Sequence, residues 1–160
     1  MKAELSDKKF GLISHDVWRE KNSLEIFQKM IAGELPQPPI AGTLDFQLAK
    51  IESGRAEFTG RSRTDYYNPL GTTHGGYIAT LLDSAMGCAI QSTLAAGKGS
   101  TSLEFKVNFV RPVFDKTGTL RAVGEIINAG KQIITAEAKL IDENGKLYAH
   151  ATTTCFVFDL

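Results

Sequence analysis

His74, Gly75 and Gly76 stand in a row at the start of the longest apolar stretch of this chain. Asp83 is the single charged residue between positions 75 and 97. Two adjacent glycines are poor helix formers. They suit a helix start that another molecule must approach closely, because no Cβ stands in the way. A helix N-terminus also offers unpaired N–H groups and the positive end of the dipole, which is the equipment of an oxyanion hole. The plainer alternative is that the glycines only permit a tight entry turn. A lone carboxylate in an apolar helix is costly unless paired or functional, and one kept from water suits general-base work. The plainer alternative is an Asp that bonds nearby backbone or faces solvent.

Spacing constrains how these residues can cooperate. Eight helical positions separate Gly75 from Asp83, about 12 Å along the axis. One reacting carbonyl cannot touch both in the same chain. Either the site joins the helix start of one subunit to Asp83 of another, which requires a symmetric dimer with two equivalent sites, or the two residues are unrelated.

The elements that must hold them follow from periodicity. Positions 22–33 predict a short helix, with Asn22 as cap, Glu25 three residues on, and Leu24, Phe27, Met30 and Ile31 on one face. Pro36, Pro38 and Pro39 then read as a stiff connector. Strands are expected at 43–51 and 55–61, a loop at Asn68-Pro69, and the apolar helix at 75–96. Four more strands are expected at 102–110, 118–128, 132–142 and 147–158, with Asn144-Gly145 as a hairpin turn. In 102–110 strict alternation puts Leu103, Phe105, Val107 and Phe109 on one face and Ser102 on the other. Short connections predict an antiparallel sheet. The expected class is α+β, with the sheet curled around the long helix. One sheet cannot fully wrap a helix that is apolar all round, which argues for a partner.

Composition narrows the function classes. The chain has 160 residues, and 18 Lys+Arg balance 18 Asp+Glu. One ordinary domain fits that length, and no global charge favours nucleic acid or an anionic membrane. A membrane span at 75–97 is disfavoured by Asp83 and by several hydroxyl and amide side chains. Cys88 and Cys155 belong to no C-x-x-C pair, and the N-terminus carries no apolar leader, so a reducing cytoplasm is expected. His15, His74 and His150 form no spaced ligand set, so no metal is expected. Gly97-Lys98-Gly99 lacks the spacing and the strand-to-helix order of a phosphate loop. No G-x-S-x-G elbow is present.

Asn68-Pro69, Thr73-His74-Gly75-Gly76, the run Leu81 to Gly87 and the strand Thr101 to Pro112 together resemble the PaaI-type hotdog-fold acyl-CoA thioesterases. The resemblance spans roughly 40–158, so 40–160 is expected to form the hotdog domain and 1–39 an N-terminal helical extension with its connector. It implies hydrolysis of an acyl- or aryl-CoA thioester at a homodimer interface, with a dimer of dimers as the alternative, and without cofactor. It further implies that Gly75 donates its N–H to the thioester carbonyl and that His74 holds the turn. Asn68 would help to place the carbonyl or the water, and Asp83 of the other subunit would act as general base or nucleophile. Ser102 would orient water or thioester, although strict alternation turns it away. Gly76, Arg111 and Lys98 are expected on the substrate, the last two near the CoA phosphates. Thr73 departs from the family pattern, in which an aliphatic residue often precedes the His. Two rival functions share the fold: an acyl-CoA sensor without turnover, and a hydratase or dehydratase.

Overall fold

The computed structural model describes residues 9–160; residues 1–8, on which the expectation of no apolar leader largely rests, lie outside that range. Four helices, α1 (His15–Glu20), α2 (Ser23–Ile31), α3 (Pro39–Thr43) and α4 (Gly75–Gln91), accompany six strands: β1 (Phe46–Glu52), β2 (Arg55–Arg61), β3 (Lys98–Phe109), β4 (Thr119–Ala129), β5 (Ile133–Asp142) and β6 (Leu147–Asp159). All pairings are antiparallel, and the strands lie in the order β1-β2-β4-β5-β6-β3. The curved sheet wraps around α4, which is the hotdog fold.

Helix α4 buries Leu81, Leu82, Ala85, Met86, Ala89 and Ile90 completely. It rests so closely on β4 that a Cβ on Gly124 would stand 2.5 Å from the Ala85 backbone. The opposite side of the helix carries Thr80, Asp83, Ser84, Gly87, Cys88 and Gln91, all half-buried. This face, small and weakly polar, is the one the sheet leaves uncovered. Helix α2 adds Ile26, Phe27 and Met30 to the same core. Its cap is one-sided: Asn22 Oδ1 accepts from Glu25 N–H at 2.9 Å, while the Glu25 carboxylate turns to Lys21 and Lys29. Among the described residues no helix is long and apolar enough to cross a membrane.

Four local expectations are corrected. The long helix stops at Gln91, not at 96. There the Ser92 hydroxyl contacts the carbonyls of Ala89 and Glu52, and Thr93 binds the Ile90 carbonyl, so side chains take over groups that a longer helix would use. The proline segment is not only a connector, because Pro39 opens α3 as its first helical residue. Helix α1 was not foreseen, being six residues with none buried and little apolar periodicity. Finally, β3 starts at Lys98 and is not strictly alternating. Its register with β6 shifts between Ser102 and Glu104, so that Leu103 is an extra, bulged residue. The bulge turns Ser102 to the same face as Phe105, Val107 and Phe109.

Candidate active site

The loop before α4 is held from both sides. His74 N–H donates to the Tyr66 carbonyl at 2.7 Å, and Thr73 N–H donates to Val113 at 2.9 Å. Thr73 is buried, with its hydroxyl donating to the Val113 carbonyl at 2.9 Å and paired with the Ser62 hydroxyl. Ser62 therefore supplies the polar complement that lets a threonine occupy this position. Asn68 folds its own turn: Oδ1 accepts from the N–H groups of Leu70 and Thr72, and Nδ2 donates to Thr72 Oγ1 at 2.9 Å. One hydrogen of the Asn68 amide is left over.

His74 caps α4 through its ring. Nδ1 accepts from Gly76 N–H at 2.8 Å, and Tyr77 N–H reaches the His74 carbonyl at 3.0 Å. In the first turn this leaves the Gly75 N–H without a protein acceptor among the described residues. Each glycine has a steric reason as well. A Cβ on Gly76 would stand 2.9 Å from His74 Nδ1, and one on Gly75 would stand 3.0 Å from the Phe109 ring.

Two turns further along α4, Ser102 Oγ donates to Asp83 Oδ1 at 3.0 Å. The same hydroxyl lies 3.7 Å from Cys155 Sγ. Asp83 has no cation within ion-pair distance among the described residues. Nearby Cys88 is no candidate nucleophile, because burial, reinforced by the Asp83 charge, pushes its thiol up to about 12.

Helix α4 and strand β3 run antiparallel. Gly75 meets Phe109, Asp83 meets Ser102, and Gln91 accepts from Ser100 at 2.8 Å. The site residues thus fall into three groups. Asn68, Gly75 and Arg111 share a cleft of about 350 Å³ walled by Phe109 and Val113. His74 and Gly76 open instead onto a neighbouring cleft beside Tyr66 and Tyr77. Asp83 and Ser102 form a pair of their own. Lys98 sits at the far end of β3, paired with Asp159, and Arg111 donates to the Leu147 carbonyl at 2.6 Å. Sequence reasoning missed Phe109 as the lid of Gly75. Its aromatic character gave no sign of that contact, which depends on the length of β3.

A family model for the thioesterase superfamily matches residues 70–149, half of the chain, and covers the helix start, Asp83, Ser102 and Arg111. The chain belongs to the thioesterase superfamily. Among solved structures, a phenylacetic acid degradation-related protein from Ralstonia eutropha is 30% identical, with a TM-score of 0.73 over 81% of this chain and 98% of that one. A thioesterase from Haemophilus influenzae is 23% identical, with a TM-score of 0.73, 90% of this chain and 96% of that one covered. The PaaI protein of the Escherichia coli phenylacetic acid degradation operon is 22% identical, with a TM-score of 0.71, 92% and 96% covered. The last two speak to the fold alone. Thioester hydrolysis is the chemistry of this superfamily, and it needs an electrophilic cradle for the carbonyl and a way to deliver water.

Proposed function

We propose that the protein hydrolyses an acyl- or aryl-CoA thioester to the free acid and CoA, acting as a homodimer with two sites across its interface. The observation that carries this reading is β3. It is the edge strand of the sheet, twelve residues long, with Leu103, Phe105 and Phe109 exposed. Long apolar edges invite pairing. An antiparallel pairing of β3 with its symmetry mate, about a two-fold axis near Lys106 and with Leu103 bulged out, sets position 109 beside the partner's position 102. Phe109 marks Gly75 and Ser102 marks Asp83, so each Gly75 amide then faces Asp83 of the partner subunit. The roughly 12 Å between them within one helix ceases to matter.

In this site the thioester oxygen accepts the Gly75 N–H. Asp83 of the partner subunit, oriented by its own Ser102, takes a proton from water as the oxygen attacks the carbonyl carbon. The tetrahedral oxyanion is held by the amide and the positive end of α4. Its collapse breaks the C–S bond, and the departing CoA thiolate recovers the proton from Asp83. Asn68 directs its remaining amide hydrogen into the cleft, and His74 keeps Gly76 engaged so that Gly75 is the donor on offer. Arg111 lies at the rim of the cleft, and the same strand pairing carries the partner's Lys98 toward it, which gathers cations for the CoA phosphates. The chain's place is the cytoplasm, where CoA thioesters are made.

A hydratase would need a His and an acid at one acyl chain, whereas His74 accepts from Gly76 through Nδ1 and lines a different cleft from Gly75. Free-thiol release from a panel of acetyl-, octanoyl-, palmitoyl- and phenylacetyl-CoA tests the proposal, with crotonyl-CoA hydration as the counter-assay. Binding without thiol release, or hydration in its place, would reject it. Light scattering is expected to give at least twice the 17.4 kDa chain mass.

A further inference from the structure

We propose that the N-terminal helices close the far end of the acyl channel, with Trp18 as the stop that sets how long an acyl group is accepted. This rests on the assignment of Asp83 to the reacting carbonyl. Asp83, Gly87 and Gln91 follow at four-residue steps, so they form one stripe on α4. The stripe faces β3 through the Asp83–Ser102 and Gln91–Ser100 hydrogen bonds. Between the two bonded pairs the space over Gly87 is open, with no atom within 4 Å of where its Cβ would stand. Along this stripe Asp83 and Gln91 stand about 12 Å apart, with the open position over Gly87 between them.

At the Gln91 end of the stripe lies a cavity of about 260 Å³, where Gln91 and Ser100 meet Ile13, His15, Trp18 and Phe158 among its lining residues. Ile13, His15 and Trp18 come from α1 or the segment just before it. The floor is already satisfied: Gln91 donates to Ser23 Oγ at 2.7 Å and to the Lys98 carbonyl at 3.0 Å, and accepts from Ser100. The apolar part of the lining, Ile13, Trp18, Phe158 and Leu160, suits an alkyl end or a single aromatic ring. The volume is adequate, since a cavity of about 150 Å³ holds benzene. The wall is also anchored. Trp18 packs edge-on against Phe27 with centroids 5.9 Å apart, its carbonyl accepts from Gly97 N–H at 2.9 Å, and Arg19 donates to the Leu160 carbonyl at 3.3 Å.

The test is a chain-length profile of kcat/KM for acyl-CoAs from acetyl to palmitoyl. Trp18→Ala is expected to raise the palmitoyl-to-octanoyl ratio about tenfold, Trp18→Phe to keep the wild-type ratio, and Gly87→Leu to lower octanoyl relative to acetyl about tenfold. An unchanged ratio in a folded Trp18→Ala enzyme overturns the proposal. A second readout does not need turnover. Trp18 is the single tryptophan of the chain, so its emission should change saturably with S-octyl-CoA, a thioether that cannot be hydrolysed. Saturation without thiol release from any acyl-CoA rejects the hydrolase reading and keeps the pocket. Thiol release with silent Trp18 emission and an unaltered profile rejects the pocket alone.

Discussion

Ser102 and Asp83, nineteen residues apart in the chain, are joined by a 3.0 Å hydrogen bond from the Ser102 hydroxyl to the Asp83 carboxylate. The bond fixes one carboxylate oxygen and leaves the other for water. Asp83→Asn keeps the shape and removes the proposed base. Turnover is expected to fall by about 10²–10⁴, with unchanged circular dichroism and dimer mass; full activity in this variant would refute the assignment.

Gly75 is the first residue of α4, the helical position that best tolerates proline. His74 has φ −60° and ψ 136°, which suits a residue before proline. Gly75→Pro therefore deletes the one amide of interest while sparing the helix, and the partly exposed Phe109 ring must swing aside. The expected loss in kcat is about 10²–10³. A variant with wild-type kcat would remove the oxyanion role.

Complementation separates a shared site from an internal one. Asp83→Asn and Gly75→Pro chains, each inactive, are unfolded together and refolded as a mixture. Half of the dimers then carry one intact site, and about a quarter of wild-type turnover should return. No recovery, with mixed dimers demonstrated by mass spectrometry, would place both groups in one protomer.

Gly124 marks where α4 touches the sheet. A methyl there meets backbone at 2.5 Å, and backbone cannot swing aside as a side chain can. Gly124→Ala should lower stability in urea by about 1–3 kcal/mol or more. A variant as stable as the parent would show that the helix has room to lift.

Cys88 gives a pH signature. Its thiol is pushed up to about 12 from 9.0. Between those values the folded chain holds a proton that the unfolded chain releases, so this residue's contribution to stability falls as pH rises. Its alkylation by iodoacetamide should be negligible at pH 8 and climb with pH until the thiol titrates. Rapid labelling of folded protein at pH 8 would contradict the raised thiol pKa.

The sequence disclosed the architecture through periodicity and caps. Asn22, the two-residue alternation of β5 and the glycine-led start of α4 each follow from local rules that tertiary packing did not override. Asp83 and Gly75 stood out as candidates because a charge in an apolar helix and paired glycines at its start are both locally unfavourable. What stayed hidden is non-local. The Leu103 bulge depends on how β3 meets β6, and the Phe109 contact depends on how far β3 extends. Helix α1 derives its order from the C-terminus and from α2, not from its own six residues. The end of α4 at Gln91 was missed in part because the Ser92 hydroxyl also reaches the Glu52 carbonyl at the end of β1, forty residues away in the chain.

The extra residue at Leu103 divides β3 into two frames. Ahead of it Ser100 and Ser102 look inward; beyond it Phe105, Val107 and Phe109 do. One ribbon thereby offers hydroxyls where water must be steered and rings where a surface must be dry. Removing Leu103 would merge the frames and swap polar for greasy along half the strand. A single-codon deletion there would cost the molecule more than most substitutions of the groups it arranges.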